Sequence, residues 1–334
     1  MATTQTDYKP AIIDALTVLM KADQIKKDKF KVIAYQKVLK SLAAHEGPIR
    51  SAEDLDNIEG IGKKIRAKIE EIFATGTLQA AVQAAAALPI SVYDDLLKVH
   101  GIGPVKARKL VEEIGIKSIE DLRTRVAADS SLLDAGQKIG LRYFEEFNAR
   151  IPREEMEVHE QILLNAKPTN MKIELVGSYR RGSPSSGDID ALINFPWTKS
   201  EADAIQHFHN YVKSLTESGY ITEILAIGNH KCMAVSQIPG SAFHRRLDLL
   251  LTPSEEWPFA ILYFTGSDRF NVAMRAHAQE RGFTMNEHSI SPLTAAARTT
   301  VLPHFKTERD IFNFLGLRYI KPEERTGADK IIPI

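Results

Sequence analysis

The chain has 334 residues, enough for two or three compact units rather than one. Hydrophobic residues make up 44% and charged residues 26%, which excludes a disordered chain and predicts a sizeable core, while 43 Lys and Arg balance 43 Asp and Glu, so any grip on phosphates must come from local clusters rather than a global positive field. A single cysteine, Cys232, excludes an internal disulfide framework and fits a reducing compartment. No run approaches the roughly 20 apolar residues of a membrane span, and the opening MATTQTDYKP has neither a signal nor a transit-peptide pattern, so an intracellular, soluble protein with no membrane partner is expected.

Residues 1 to about 88 read as helices. Residues 11–20 (AIIDALTVLM) have helical apolar spacing, and residues 29–42 (KFKVIAYQKVLKSL) place Phe30, Ala34 and Val38 on one stripe. Lysines at 29, 31, 37 and 40 surround that stripe, a pattern equally compatible with a solvated helix face. An alanine-rich segment, 79–89, leads to a second helical unit over about 90–150. From about 151 the period changes, and strands are predicted at 172–176, 189–193, 232–238 and 247–251, with a helix near 201–218. This is an α+β pattern with a mixed or antiparallel sheet. The last segment, about 263–334, carries helices at 268–281 and 308–315, the first capped by Ser267 or Asp268.

Two segments are nearly repeated. Residues 58–69 read IEGIGKKIRAKI and residues 99–110 read VHGIGPVKARKL. In each, Gly-Ile-Gly (Gly60 and Gly62; Gly101 and Gly103) allows a tight turn and close backbone approach before a basic helix. Free N–H groups and the positive helix end then face one spot, which suits a phosphate, and Lys63, Lys64, Lys68, Lys106, Arg108 and Lys109 reinforce it. The pattern resembles the helix-hairpin-helix motif, which holds DNA backbone without reading sequence.

The segment 176–193, VGSYRRGSPSSGDIDALI, holds Asp188 and Asp190 two apart in a predicted strand, hence on one face. Carboxylates that close repel each other unless a cation intervenes. Asp248, in a second apolar strand, supplies a third. Three carboxylates suit two divalent ions arranged for displacement at phosphorus. Gly177, Ser178, Ser186 and Gly187 offer small side chains and N–H donors to phosphates, and Arg181 a charge-assisted fork.

On these motifs the chain resembles the family X DNA polymerases nearly end to end, most specifically over 142–156, 177–190 and 261–290, and less specifically over 309–325. The resemblance implies an α+β multidomain fold. An all-α lyase-like domain (1–88) and a helical DNA-binding subdomain (89–150) carry the two hairpins; a nucleotidyltransferase-type palm with a mixed sheet (151–262) and a small α/β nucleotide-selection subdomain (263–334) follow. No additional domain before residue 1 is expected. The implied activity is gap-filling DNA synthesis from dNTP in base-excision repair. A 5′-deoxyribose phosphate lyase reaction accompanies it. Template-independent transfer and a non-catalytic gap-binding scaffold are the rival readings.

Residue by residue, the resemblance makes Asp188, Asp190 and Asp248 ligands of two Mg²⁺ ions, replaceable by Mn²⁺, with Asp248 also taking the primer hydroxyl proton. Ser178, Arg181, Ser186, Gly187 and Arg150 match triphosphate contacts. Tyr263, Phe264 and Gly266 match the segment that excludes a ribose, and Asp268 and Asn271 surround the incoming base. Asn271 and Arg275 share a helix face, and Arg246 and Lys231 lie near the primer. Lys68 matches the Schiff-base amine, with Lys31, Tyr35 and Lys64 around it and Lys64 and Lys31 lowering its pKa. A Na⁺ or K⁺ ion is expected at each hairpin, gapped or nicked DNA as partner, a monomer, and a nuclear location in a eukaryote or a cytoplasmic one otherwise.

The sequence departs from the family pattern at Leu250 and His288, where an arginine and a tyrosine of the closing switch are expected, although Glu287 matches. It departs also at Val272, Thr77, Gln79, Ala80 and Phe30, where basic or stacking residues are expected, and the loop 237–244 is short. His277 is expected to be structural, Cys232 buried, and Trp257 and Phe259 packing residues.

Overall fold

Helix α1 (Lys9–Ile25) forms where Ile12, Leu16 and Leu19 recur at helical spacing, with Pro10 in its first turn. Helix α2 (Lys29–Ala44) starts at Asp28, whose side chain accepts from the Lys31 N–H. It buries Tyr35, Val38 and Leu42 against α1. This corrects the expected stripe: Phe30 is 90% exposed and Ala34 is also exposed. The helix offers two apolar rows, and the row at 35, 38 and 42 carries the larger buried area.

Helix α3 (Lys63–Thr75) ends at Gly76 in the left-handed region, and the alanine-rich segment is itself a helix, α4 (Gln79–Ala87), packed on α1. Helices α5 (Ile90–Lys98), α6 (Pro104–Glu112), α7 (Ile119–Ala128), α8 (Ala135–Arg142) and α9 (Phe144–Asn148) follow. The computed structural model describes residues 6–45, 47–87, 89–293 and 301–334, and its contacts divide the chain into Met1–Gln137 and Lys138–Ile334. No helix among the described residues is long and apolar enough to cross a membrane.

The second unit opens with β1 (Ile151–Pro152) and α10 (Arg153–Ala166), then β2 (Lys172–Leu175), α11 (Gly177–Arg180), β3 (Ser185–Ser186) and β4 (Ile189–Asn194). Helix α12 (Glu201–Glu217) and strands β5 (Ile221–Ile227), β6 (Lys231–Gln237) and β7 (His244–Leu251) complete a five-stranded sheet of order β2-β4-β7-β6-β5. Only β4 and β7 run parallel, so the sheet is mixed. Strand β5 falls outside the predicted strands. It is an edge strand with its outer residues exposed, so its sequence lacks the apolar run of β4.

Alternation along β4 and β7 divides the core. Ile189, Ala191, Ile193, Leu247 and Leu249 pack with Leu163 of α10 and Phe208 and Leu215 of α12. Leu192 faces the other way, against Trp257, Ala260 and Ile261 of α13 (Trp257–Thr265), with Leu250 and Phe264 beside them. Helix α14 (Asp268–Glu280) is capped by Ser267, whose side chain accepts from Phe270 N–H. It packs with the hairpin β8 (Phe283–Met285) and β9 (Ile290–Pro292) and with α15 (Glu308–Phe314) around Phe270, Met274, Ile311 and Phe312. His277 Nε2 lies 2.9 Å from the Leu315 carbonyl, a structural contact as expected.

Candidate active site

Parallel pairing of β4 and β7 sets Asp190 opposite Asp248, on strands about 4.8 Å apart. The two occupy the sheet face whose next positions, Leu192 and Leu250, lie under α13. Asp188 is not within the strand as expected but immediately precedes it. It still reaches the same place: burial first, then the charges of Asp188 and Asp248, push Asp190 up to about 7, while Arg246 and Lys231 pull the other way. Lys231 Nζ lies 2.7 Å from Asp248 Oδ2, and Arg246 Nη2 lies 3.1 Å from Asp188 Oδ2. The second oxygen of Asp248, Oδ1, is buried and has no hydrogen-bond partner, and neither has Arg246 Nε.

Among the described residues no three His, Cys, Asp or Glu side chains are gathered closely enough to hold a metal ion. The cluster expected of the three aspartates is therefore open here, with two of its members turned onto basic side chains. Its chemistry nonetheless fits a divalent cation. A buried carboxylate oxygen without a donor, beside a carboxyl held above its usual range by burial and by two like charges, is relieved by positive charge at that point.

The phosphate-type loop is tied to this centre. Val176 N–H donates to the Asp190 carbonyl at 2.9 Å, and Gly177 follows at φ +63, in the left-handed region. Ser178 Oγ donates to Ser186 Oγ at 3.1 Å, and Arg150 Nε donates to Ser185 Oγ at 3.1 Å. A Cβ on Gly187 would stand 3.4 Å from Arg150 Nη1, so Arg150 closes over the same turn. Arg181 reaches out of the loop and donates to the Thr265 carbonyl at 2.5 Å, beside Gly266 and within the field of Asp268.

On the facing segment the Tyr263 and Phe264 rings meet edge to face at 5.2 Å. Asn271 Nδ2 donates to the Tyr263 carbonyl at 2.7 Å, and Tyr263, Asn271 and Arg275 line one small cleft with Met285 and Asn286. Phe264 leans instead on the α13 cluster.

A separate cleft of about 790 Å³ lies in the first unit, lined by Lys31, Tyr35, Gly60, Gly62, Lys63, Lys64, Lys68 and Glu71. Gly60 has φ +92, and Gly62 begins α3 with no side-chain cap, so the first N–H groups of that helix are left for a ligand. The second hairpin is similar: Gly101 has φ +83 and Gly103 precedes α6 without a side-chain cap, but Pro104 leaves the first helical position with no N–H. Lys31 is paired with carboxylates: Asp28 at 2.8 Å and Asp23 at 3.9 Å counter its charge and raise its pKa.

Sequence models of protein families match the chain in four consecutive blocks: a helix-hairpin-helix domain at 7–78, the fingers domain of DNA polymerase lambda at 94–148, the DNA polymerase beta palm at 150–254 and the DNA polymerase beta thumb at 260–326. The chain is 33% identical over 338 residues to DNA polymerase lambda of Rattus norvegicus, which covers 96% of this chain and 56% of that protein. It is 30% identical over 311 residues to DNA polymerase lambda of Arabidopsis thaliana, covering 87% and 57%. The chain belongs to the family X DNA polymerases. It spans a little over half the length of these two relatives.

In this family X chain the palm match contains all three aspartates, and the thumb match contains Tyr263, Asn271 and Arg275. Sequence reasoning missed the side chains that brace them. Arg180, beside Arg181, pairs with Glu174 at 2.8 Å, Thr265 at 2.7 Å and Glu308 at 2.9 Å, and the wholly buried Arg325 also binds Glu308. Two adjacent arginines gave no sign of which turns inward. His288 Nδ1 lies 2.7 Å from Glu256 Oε2, and that contact raises its pKa.

Proposed function

We propose that this chain is a DNA-directed DNA polymerase that fills short gaps by transfer from dNTP to a primer 3′-hydroxyl, with a second 5′-deoxyribose phosphate lyase reaction. The observation that carries the reading is the pairing of Asp190 with Asp248 across two parallel strands, with Asp188 alongside and Asp248 Oδ1 unpartnered. Asp188, Asp190 and Asp248 would hold two divalent cations, Mg²⁺ in the first instance. Such ions, when bound, lower the pKa of the attacking hydroxyl and neutralise the triphosphate.

The chain's own residues do the rest. Asp248 Oδ1 accepts the primer hydroxyl proton. Ser178, Ser186, Gly187 and Arg150 hold triphosphate oxygens, and Arg181 spans from that loop to the segment 265–268, where Gly266 and Asp268 lie. Tyr263 and Phe264 bound the sugar, and Asn271 and Arg275 face the minor grooves of the nascent pair and the template. Arg246 lies by the primer. In the lyase reaction neutral Lys68 Nζ attacks the C1′ aldehyde of a ring-opened 5′-deoxyribose phosphate, water leaves to give a Schiff base, and loss of a C2′ proton breaks the C3′–O bond and releases the DNA 5′-phosphate, with Lys64 and the N–H groups after Gly62 on the phosphate. The proposed domains are residues 1–88 (lyase), 89–150 (DNA-binding), 151–262 (palm) and 263–334 (nucleotide selection).

The test is incorporation on a one-nucleotide gap bearing a 5′-phosphate, with and without Mg²⁺, beside single-stranded primer. Parent protein should extend the gap faster than the single strand and only with Mg²⁺. Asp248→Asn should lose about a thousandfold in rate, with DNA affinity within about twofold of parent. Unchanged extension by Asp248→Asn would refute the assignment.

A further inference from the structure

Lys231 opens β6 opposite Leu250, and Met233, two residues on, stands opposite Asp248. Alternation therefore sends Lys231, Met233, Asp248 and Leu250 to one face. The lysine stem crosses diagonally, and Nζ ends 2.7 Å from Asp248 Oδ2. The two partners differ in how firmly they are held. The Asp248 side chain is 8% exposed in the middle of β7, whereas that of Lys231 is 45% exposed. A flexible four-carbon stem so placed can leave for solvent without disturbing the sheet.

A carboxylate as enclosed as Asp248 is stabilised by a counter-charge. Leu250, the next residue on that face of β7, supplies none. We propose that Lys231 is a removable counter-cation: it neutralises Asp248 when no divalent ion is present and swings out when one binds between Asp190 and Asp248. Metal binding is then a displacement, weaker than the carboxylates alone would give. This accounts for the pairing of Asp248 with Lys231. It rests on the three-aspartate reading above. Arg246 holds Asp188 in a similar way at 3.1 Å, but about a third of each side chain is exposed, so water already screens that pair.

The experiment uses the full chain without DNA or nucleotide, titrated with Mn²⁺ and read by calorimetry and by the electron paramagnetic resonance of free Mn²⁺. Lys231→Met should bind Mn²⁺ roughly tenfold or more tightly than parent, since a hydrogen bond to a charged partner no longer has to be broken. Lys231→Arg, which keeps the charge, should stay within about threefold of parent. The gain should vanish when Asp248→Asn is added to Lys231→Met. Thermal melting gives a second measurement: Lys231→Met should melt lower than parent without metal and show the larger rise with Mn²⁺. A Lys231→Met chain that folds only with Mn²⁺ supports the proposal equally. Unchanged or weaker Mn²⁺ affinity in Lys231→Met, or a gain that survives Asp248→Asn, overturns it. Failure of the underlying reading is seen separately, as Mg²⁺-dependent gap filling by Asp248→Asn at the parent rate.

Discussion

At the scale of single residues, Lys68 and His159 lead to different kinds of measurement. Lys68 is half-buried in the cleft of the first unit, with Lys63 and Lys64 nearby and Lys31 tied to Asp28. Lys68→Ala should therefore give no borohydride-trapped adduct on an incised abasic site, whereas Lys31→Ala should lose no more than about threefold in trapping, because its charge is already countered. Equal trapping by Lys68→Ala would move the nucleophile elsewhere. His159 is fully buried, with Nδ1 2.8 Å from the Tyr220 hydroxyl, and Nε2 has no hydrogen-bond partner. Burial lowers its pKa from 6.5 to about 4. The unfolded chain then binds the proton more readily than the folded one between those values, so stability falls as pH drops from about 6.5 to about 4 and is complete above 6.5. The span corresponds to about 3 kcal/mol. Urea melts at pH 7 and pH 4.5 should show this loss in the parent, and His159→Phe should flatten that part of the profile. An equal acid loss in His159→Phe would assign it to other groups. The strands that carry Asp190 and Asp248 are legible in sequence because their apolar runs are local, while the pairing of Lys231 with Asp248 depends on register between β6 and β7, which sequence alone does not fix.

At the scale of elements, the two glycines of a hairpin answer different demands. Gly101 has φ +83, and a Cβ there would lie 3.0 Å from Gln137 Cγ, while Gln137 Nε2 donates to the Gly101 carbonyl at 2.9 Å. Gly103 is extended at φ −87 and ψ 176, and a Cβ there would meet nothing within 4 Å. Gly101→Ala should therefore cost about 1–3 kcal/mol in a urea melt. Gly103→Ala should change stability by less than about 0.5 kcal/mol yet weaken DNA binding in an anisotropy titration, if backbone phosphate approaches the start of α6 as proposed. Loss of stability in Gly103→Ala, with DNA affinity intact, would mean that the turn does not face DNA. Such turns are readable in sequence because their positive-φ positions, Gly60 and Gly101, favour glycine. The buried row of α2 and the edge strand β5 were not. Phe30 and Tyr35 offered rival apolar rows on one helix, and β5 has exposed residues on both faces. What decides each is the neighbouring element, α1 for the helix and β6 for the strand.

At the scale of the whole molecule, acidic and basic residues nearly balance within each unit as well as overall, so the two units differ in which motifs they carry and not in net charge. The first unit carries both glycine hairpins with their lysines and has its own core around Ile12, Leu16, Val38 and Ile69. The second carries the aspartates and cores of its own. Each is of a size that folds alone. The side chains show where to cut: Gln137 bonds to Gly101, so the start of α8 belongs with the hairpins, whereas Arg142 and Tyr143 both donate to Glu223 at 2.7 Å and belong with β5. A fragment ending at residue 141 and one beginning at 142 should each melt cooperatively by circular dichroism. The first should bind gapped DNA and form the Lys68 adduct without incorporating nucleotide, and its affinity should fall steeply with salt, in proportion to the phosphates it neutralises. The second should incorporate nucleotide with a raised KM for DNA and a turnover recovered at high DNA concentration, since the hairpins contribute binding that is common to ground and transition states. If the second fragment instead keeps the parent KM and loses only kcat, the hairpins act on the chemical step. If the first fragment fails to fold, its core depends on the second unit.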